Sequence, residues 1–177
     1  MELLTKLLTE RMTEADIDEV LALIHKAIFH KDMLPQYKIT VLEEWWSWYT
    51  PATLKDILKK RHVYVMRESE DGRVVACGSV SLNEKKTAAS IDMVFTDPDH
   101  QKMGIGRHMV TCLEADELVT EVGKIETKVS TSAYKFYEKL GYRDLDGILQ
   151  LVYDDRNSGA LMEKYIGRED RYDTCSI

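Results

Sequence analysis

Two glycines one residue apart, Gly104 and Gly106, stand where an apolar stretch gives way to a helical pattern. Before them Ser90 to Thr96 is apolar and partly β-branched, as a buried strand would be, and Asp97-Pro98-Asp99 marks a polar turn. A strand, a glycine-bearing loop and a helix N-terminus make an anion site. The first N–H groups of a helix have no partner inside it, and its dipole favours negative charge there. Glycines carry no Cβ, so a phosphate can approach the backbone closely. A dinucleotide fingerprint would need a third glycine where Met109 stands, and the Gly-Lys-Ser/Thr of a P-loop is absent. Taken alone, the glycine pair reads as well as an ordinary tight strand-to-helix turn.

A second stretch decides between these readings. Gln101-Lys102-Met103-Gly104-Ile105-Gly106 is Gln-x-x-Gly-x-Gly, which resembles the pyrophosphate-binding motif of the Gcn5-related N-acetyltransferase (GNAT) family. Ser130-Thr131-Ser132-Ala133-Tyr134-Lys135-Phe136-Tyr137-Glu138-Lys139-Leu140-Gly141-Tyr142 resembles that family's closing helix. The two occur in the family's order and at its spacing, and the resemblance runs over roughly Leu7 to Ile166. It implies acetyl-CoA as co-substrate and direct transfer of acetyl to a primary amine, with no covalent enzyme intermediate and no metal.

The resemblance assigns the acyl donor to Phe95, Thr96, Gln101, Lys102, Met103, Gly104, Ile105, Gly106, Arg107 and His108. Backbone amides of Met103 to Arg107 are the expected phosphate ligands. Phe95 and Thr96 would pair through their backbone with the pantetheine arm. Ser130 stands where the family often has an asparagine on that arm; its other reading is a helix cap. Tyr137 matches the tyrosine of the family's Phe-Tyr pair, which implies a general acid for the departing thiolate; its other reading is a core tyrosine. The attacking amine must lose a proton. Asp92, a carboxylate on an otherwise apolar strand, is the first candidate to take it, or else a structural hydrogen-bonding aspartate. Glu44 lies beside Trp45, Trp46 and Trp48 and is a second carboxylate for the acceptor side. On a helix Trp45, Trp48 and Tyr49 share one face and Trp46 lies off it, so Trp46 is the expected wall of the acceptor pocket unless it packs in the core.

These residues need elements to carry them. Leu7 to Met12 predicts a first strand, and Thr13 to Asp16 a helix start with Thr13 as cap. Ile17, Val20, Leu21, Ile24, Ala27 and Ile28 form one helical face. A polar loop with Pro35 follows, then the aromatic helix, Val41 to Tyr49. Thr50-Pro51 opens the next helix. Val63 and Val65 begin a strand with Tyr64 and Met66 on its other side, Asp71-Gly72 is a hairpin turn, and Val74 to Leu82 returns. The helix after the glycines is expected from about Gly106 to Val122, with Glu114, Asp116, Glu117 and Glu121 as a solvated face and Gly123 as its stop. Ile125 to Val129 is a strand, Ala133, Phe136, Tyr137 and Leu140 a helical stripe, and Ile148 to Tyr153 and Ala160 to Ile166 two strands joined at Asp154 to Gly159.

Helices interleaved with hairpins predict a mixed α+β fold rather than a doubly wound parallel sheet. The resemblance implies a mostly antiparallel sheet, splayed beside its central strand and flanked by helices. One domain over residues 1–177 is expected, with 167–177 as a loose tail. The net charge of −7 argues against a general nucleic-acid binder. No apolar run reaches the length of a membrane span and no signal peptide opens the chain, so a cytoplasmic protein is expected. Cys77, Cys112 and Cys175 are too few and too scattered for a disulfide framework or a zinc site and read as reduced thiols without a nucleophile motif. The expected partners are a small-molecule or peptide amine and a second copy of the chain, dimers being common in the family. The alternative to an enzyme is a non-catalytic CoA-sensing or protein-interaction module on the same fold. Polyamine, amino sugar, antibiotic, amino acid and protein amine all remain open as acceptors.

Overall fold

The computed structural model describes residues 6–145 and 159–167. The chain enters on strand β1 (Leu7–Arg11) and turns at Thr13, whose N–H donates to the Asp16 carboxylate at 2.7 Å in the foreseen capping box. Helix α1 (Ile17–Ile28) follows and buries Ile17, Val20, Leu23, Ile24 and Ile28. Leu23 was not on the predicted stripe, and Leu21 and Ala27 are only half-buried. Helix α2 (Ile39–Ser47) carries the tryptophans. Helix α3 (Pro51–Lys60) starts as read, with Thr50 Oγ1 accepting from Thr53 N at 3.1 Å. Strands β2 (His62–Glu68), β3 (Val74–Leu82) and β4 (Ala89–Thr96) come next, then helices α4 (Ile105–Glu114) and α5 (Glu117–Val122), strand β5 (Lys124–Ser130), helix α6 (Tyr134–Glu138) and strands β6 (Arg143–Asp144) and β7 (Gly159–Tyr165).

The strands form one sheet in the order β1-β2-β3-β4-β5-β7-β6. Every pairing is antiparallel except β4 with β5. That pair is joined only at Ala89–Ile125 and Ser90–Glu126 and then diverges. At the apex the buried Thr127 hydroxyl donates to Ile91 C=O at 2.6 Å, so a side chain satisfies the first carbonyl past the paired residues. The mostly antiparallel, splayed sheet flanked by helices is the fold the sequence led us to expect.

Alternation along β2 and β3 splits the core in two. Val63, Val65 and Cys77 pack with α1, α2 and α3, while Tyr64, Met66 and Ala76 pack with α4 and α5 on the opposite face. Opposite Gly78, β4 carries an extra residue: pairing jumps from Ser79–Asp92 to Cys77–Phe95, and Met93 takes φ 57°. A Cβ on Gly78 would meet Leu113 Cδ1 at 2.7 Å, so the missing side chain lets α4 lie close to the sheet.

Three expectations need correction. The helix read as continuous to Val122 breaks after Glu114, and Asp116 begins a new one by accepting from Leu118 N at 2.8 Å. Asp116 is also no part of a solvated face. Its carboxylate is buried and receives Tyr64 Oη at 2.8 Å and His62 Nδ1 at 2.9 Å, with Arg11 Nη1 at 3.5 Å. A carboxylate with that many donors tolerates burial that a lone one would not. Cys112 is disulfide-bonded, which corrects the reading of three reduced thiols; Cys77 is a free, buried thiol. The expected strand from Ile148 to Tyr153 and the tail from residue 168 lie outside the described residues.

Candidate active site

The divergence of β4 from β5 opens a cleft of about 1110 Å³. Its floor is the β4–β5 splay, its far end the start of α4, and its near wall the side chains of α2 and α3. From Ile91 to Thr96 the edge of β4 turned toward β5 has no strand partner among the described residues. Phe95 and Thr96 line the cleft there, while β4's other edge pairs with Cys77 and Ala76 of β3.

The loop between β4 and α4 is pinned from below. Asp97 N–H donates to Val75 C=O at 2.8 Å, and the Asp97 carboxylate accepts from Asp99 N at 2.9 Å. Lys26 of α1 reaches both Asp97 and Asp99 at 2.7 Å. Burial pushes the Asp97 carboxyl up, but Lys26 and the Asp99 amide outweigh it and hold it below the usual range. Lys102 and Gly104 take left-handed φ values of 62° and 88°. Backbone of this kind gathers successive N–H groups into an anion-binding concavity. The first bond of α4 runs from His108 N to Gly104 O at 2.9 Å, so the amides of Ile105, Gly106 and Arg107 come before any intrahelical partner. A Cβ on Gly106 would lie 3.3 Å from Thr96 Oγ1 and 3.5 Å from Phe136 Cζ, so this turn packs tightly against β4 and α6.

The expected donor-binding residues divide accordingly. Gln101, Lys102, Gly104, Gly106, Arg107, Phe95, Thr96 and Ser130 line the cleft. Met103, Ile105 and His108 are not among its lining residues: Met103 is exposed, Ile105 lies in the core and His108 is half-buried, where burial pushes its imidazole down. Ser130 Oγ sits 3.0 Å from Ser132 Oγ and caps no helix. Ser132 N–H in turn donates to Tyr37 Oη at 3.0 Å, tying the loop after α1 to the loop after β5.

Tyr137 is buried on α6 yet lines the cleft. Its ring stands edge-on to Phe136 and Tyr142, each with centroids 5.2 Å away. Burial, then the charges of Asp92 and Glu114, push its phenol up, so it stays protonated at neutral pH. Asp92 lies on β4 with its side chain one-third exposed and ion-paired to Arg61, at the end of α3. Ser90 Oγ donates to Asp92 Oδ2 at 3.0 Å. Arg61 was not singled out in the sequence, where a cation after a helix end has an ordinary reading.

The aromatic wall differs from expectation. Trp46 packs edge-on against His25, centroids 4.9 Å apart, and is not among the lining residues; Glu44 is exposed and also outside them. Trp45, Trp48 and Tyr49 line the cleft instead, Trp48 with 70% of its surface exposed. Tyr49 meets Phe95 edge-on at 5.6 Å, and Trp45 meets Tyr37 at 4.8 Å. Trp45, Trp48 and Tyr49 are the three residues that share one face in the sequence reading, and that face is turned to the cleft. The cleft is also cationic. Arg61, Lys102, Arg107, Lys128 and Lys139 line it against Asp32 and Asp92, in a chain of net charge −7. The thiol of Cys77, pushed up to about 12 by burial, donates to Met93 C=O and offers no nucleophile. Among the described residues no cluster of three His, Cys, Asp or Glu could hold a metal, and no helix is long and apolar enough to cross a membrane.

The family model described as an acetyltransferase (GNAT) domain matches residues 59–144, from the end of α3 through α6. Solved structures share the fold at low identity. PaiA N-acetyltransferase from Thermoplasma acidophilum, in complex with coenzyme A, superposes with a TM-score of 0.71 at 15% identity, covering 90% of this chain and 98% of that one. A GCN5-related N-acetyltransferase from Rhodopseudomonas palustris gives 0.72 at 17%, covering 90% and 95%. The ribosomal-protein-S18-alanine N-acetyltransferase of Escherichia coli gives 0.64 at 16%, covering 91% and 94%. No curated protein matches the chain significantly. The loop motif, the splayed sheet and the family model agree: residues 59–144 match a GNAT acetyltransferase domain, and the fold is that of solved GNAT N-acetyltransferases.

Proposed function

We propose that the protein is an acetyl-CoA-dependent N-acetyltransferase acting on a primary amine. The observation that carries this reading is a protonated, buried phenol, Tyr137, sharing one cleft with a glycine-built helix N-terminus and an unpaired strand edge. The cleft fits the donor. Gly104 and Gly106 leave the α4 amides open to a pyrophosphate, Lys102 and Arg107 add charge, and the free edge of β4 can pair with a pantetheine arm as a further strand would. The coenzyme A bound by the Thermoplasma acidophilum protein supports the same choice.

When bound, the thioester supplies an electrophilic carbonyl and a thiolate leaving group. This chain supplies protons and position. As the C–N bond forms and the C–S bond breaks, Tyr137 gives its proton to the sulfur. Asp92 accepts a hydrogen bond from the incoming ammonium and takes one proton from it, so that the neutral amine attacks; the second proton, which nitrogen sheds as the amide forms, replaces the one Tyr137 has given. A free β4 amide near Phe95 suits the carbonyl oxygen as it gains charge. Trp45 and Trp48 form the acceptor's wall. The test is release of free thiol from acetyl-CoA with a broad panel of amines, alongside calorimetric titration with CoA. Amine-dependent thiol release supports the reading. Tight CoA binding with no release across the panel would refute it in favour of a CoA-sensing module.

A further inference from the structure

Resting on the reading above, we propose that Arg61 and Asp92 form a clamp for a zwitterion, and that the acceptor is a free α-amino acid with an apolar or aromatic side chain. The two charged groups touch each other inside the cleft, each with one-third of its side chain exposed, and neither is used up by the contact. Asp92 takes Arg61 and Ser90 on Oδ2, which leaves Oδ1 without a hydrogen-bond partner among the described residues. Among them Arg61 gives Nη1 alone, so the rest of its planar fork is unspent. An α-amino acid carries its ammonium and carboxylate one carbon apart. Laid over this pair, it can set ammonium on Oδ1 and carboxylate on the guanidinium, closing a ring of four alternating charges.

Position agrees with chemistry. Asp92 lines the same cleft as Tyr137 and as Trp45, Trp48 and Tyr49, so an amine held on Asp92 shares one space with the proposed acid and the aromatic wall. Arg61 ends α3, whose Thr53 and Ile57 also line the cleft, which sets the carboxylate half of the clamp on that side. Around it Met33, Trp45, Trp48 and Ile57 offer apolar surface for a side chain.

The experiment titrates CoA-saturated protein by calorimetry with L-phenylalanine, L-methionine and L-leucine. Against each stands its decarboxylated amine: phenethylamine, 3-(methylthio)propylamine and 3-methylbutylamine. L-Phenylalaninamide stands in for a peptide N-terminus and spermidine for a polycation. At least one amino acid should bind, and its amine should bind about 10- to 100-fold more weakly, the range of a hydrogen-bonded charge pair. Arg61→Gln should erase that preference, and Arg61→Lys should restore part of it. A merely structural Arg61 would lower the melting temperature of Arg61→Gln and leave the preference intact, which would overturn the clamp. So would amines, the amide or spermidine binding as tightly as the amino acids, or no amino acid binding at all. The wild-type comparison needs no variant to fold. Amino-acid preference without thiol release from acetyl-CoA would sink the transferase reading and keep the clamp. Transfer to amines without a carboxylate preference would do the reverse.

Discussion

Replacing Gly104 by alanine isolates the backbone's part in donor binding. Gly104 is the N-cap of α4 and sits at φ 88°, ψ −5°. A side chain in left-handed backbone costs about 1–2 kcal/mol. The protein can meet that cost in two ways. If the loop keeps its shape, the whole cost falls on stability, and for a chain of this size the melting temperature drops by about 2–8 °C with acetyl-CoA affinity kept. If the loop relaxes to negative φ instead, the amides of Ile105 to Arg107 leave their common target. The strain is then restored only on binding, and affinity falls by about 5- to 30-fold. Calorimetry of acetyl-CoA and a melting curve on the same sample give both terms, and their sum should be conserved. Lys102 is the internal control: it holds φ 62° already, so Lys102→Gly should not lower the melting temperature as Gly104→Ala does. Wild-type affinity together with a wild-type melting temperature in Gly104→Ala would refute the assignment of this loop.

Tyr137→Phe keeps the ring against Phe136 and Tyr142, so stability should barely change while kcat falls by about 100-fold, the low end for a general acid. Because burial raises the wild-type phenol, its donation should persist into alkaline pH, and the basic limb of the kcat–pH profile should move when the hydroxyl goes. Trp48→Ala should raise the acceptor KM with little loss of melting temperature, and Trp46→Ala should do the opposite, since Trp48 is exposed in the cleft and Trp46 packs on His25; equal effects would erase the distinction. Asp116→Ala removes the α5 cap and leaves the buried Tyr64 hydroxyl short of a partner, for a loss of about 2–4 kcal/mol by denaturant titration. A loss below about 1 kcal/mol would show that water replaces the carboxylate as acceptor.

Much of this could be read in the sequence because the signals were local. A capping threonine, a Thr-Pro start, an Asp-Gly turn and alternating valines each report on a few neighbouring residues, and each formed as read. What stayed hidden depends on residues far apart in the chain. Asp116 looked like one more acid on a helix face, because nothing near it announces Arg11, His62 and Tyr64. The bulge at Met93 leaves no mark on Met93 itself; its cause is a register shift opposite Gly78, where α4 presses on β3. Trp46 was expected at the acceptor because it lay off the shared face of Trp45 and Trp48, on the premise that the shared face must be the buried one. A helix lining an open cleft reverses that premise: it turns its richest aromatic face to the cavity, and the residue left off packs behind it on α1.

Arg61 is the most instructive omission. As a lone cation after a helix its ordinary role is favourable placement at a dipole end. Its meaning comes from Asp92, 31 residues on, across a helix-to-sheet contact no periodicity encodes. The same holds for Lys26, which fixes the β4–α4 loop from α1 by holding Asp97 and Asp99. Both cations tie the helices of the first half of the chain to the β4–α4 unit that carries the motif. Motif residues build the β4–α4 end of the cleft from backbone, which tolerates exchange of side chains and so stays recognisable. The opposite end is built from side-chain pairs between distant elements, and that difference explains why the loop was readable before the groups that face it.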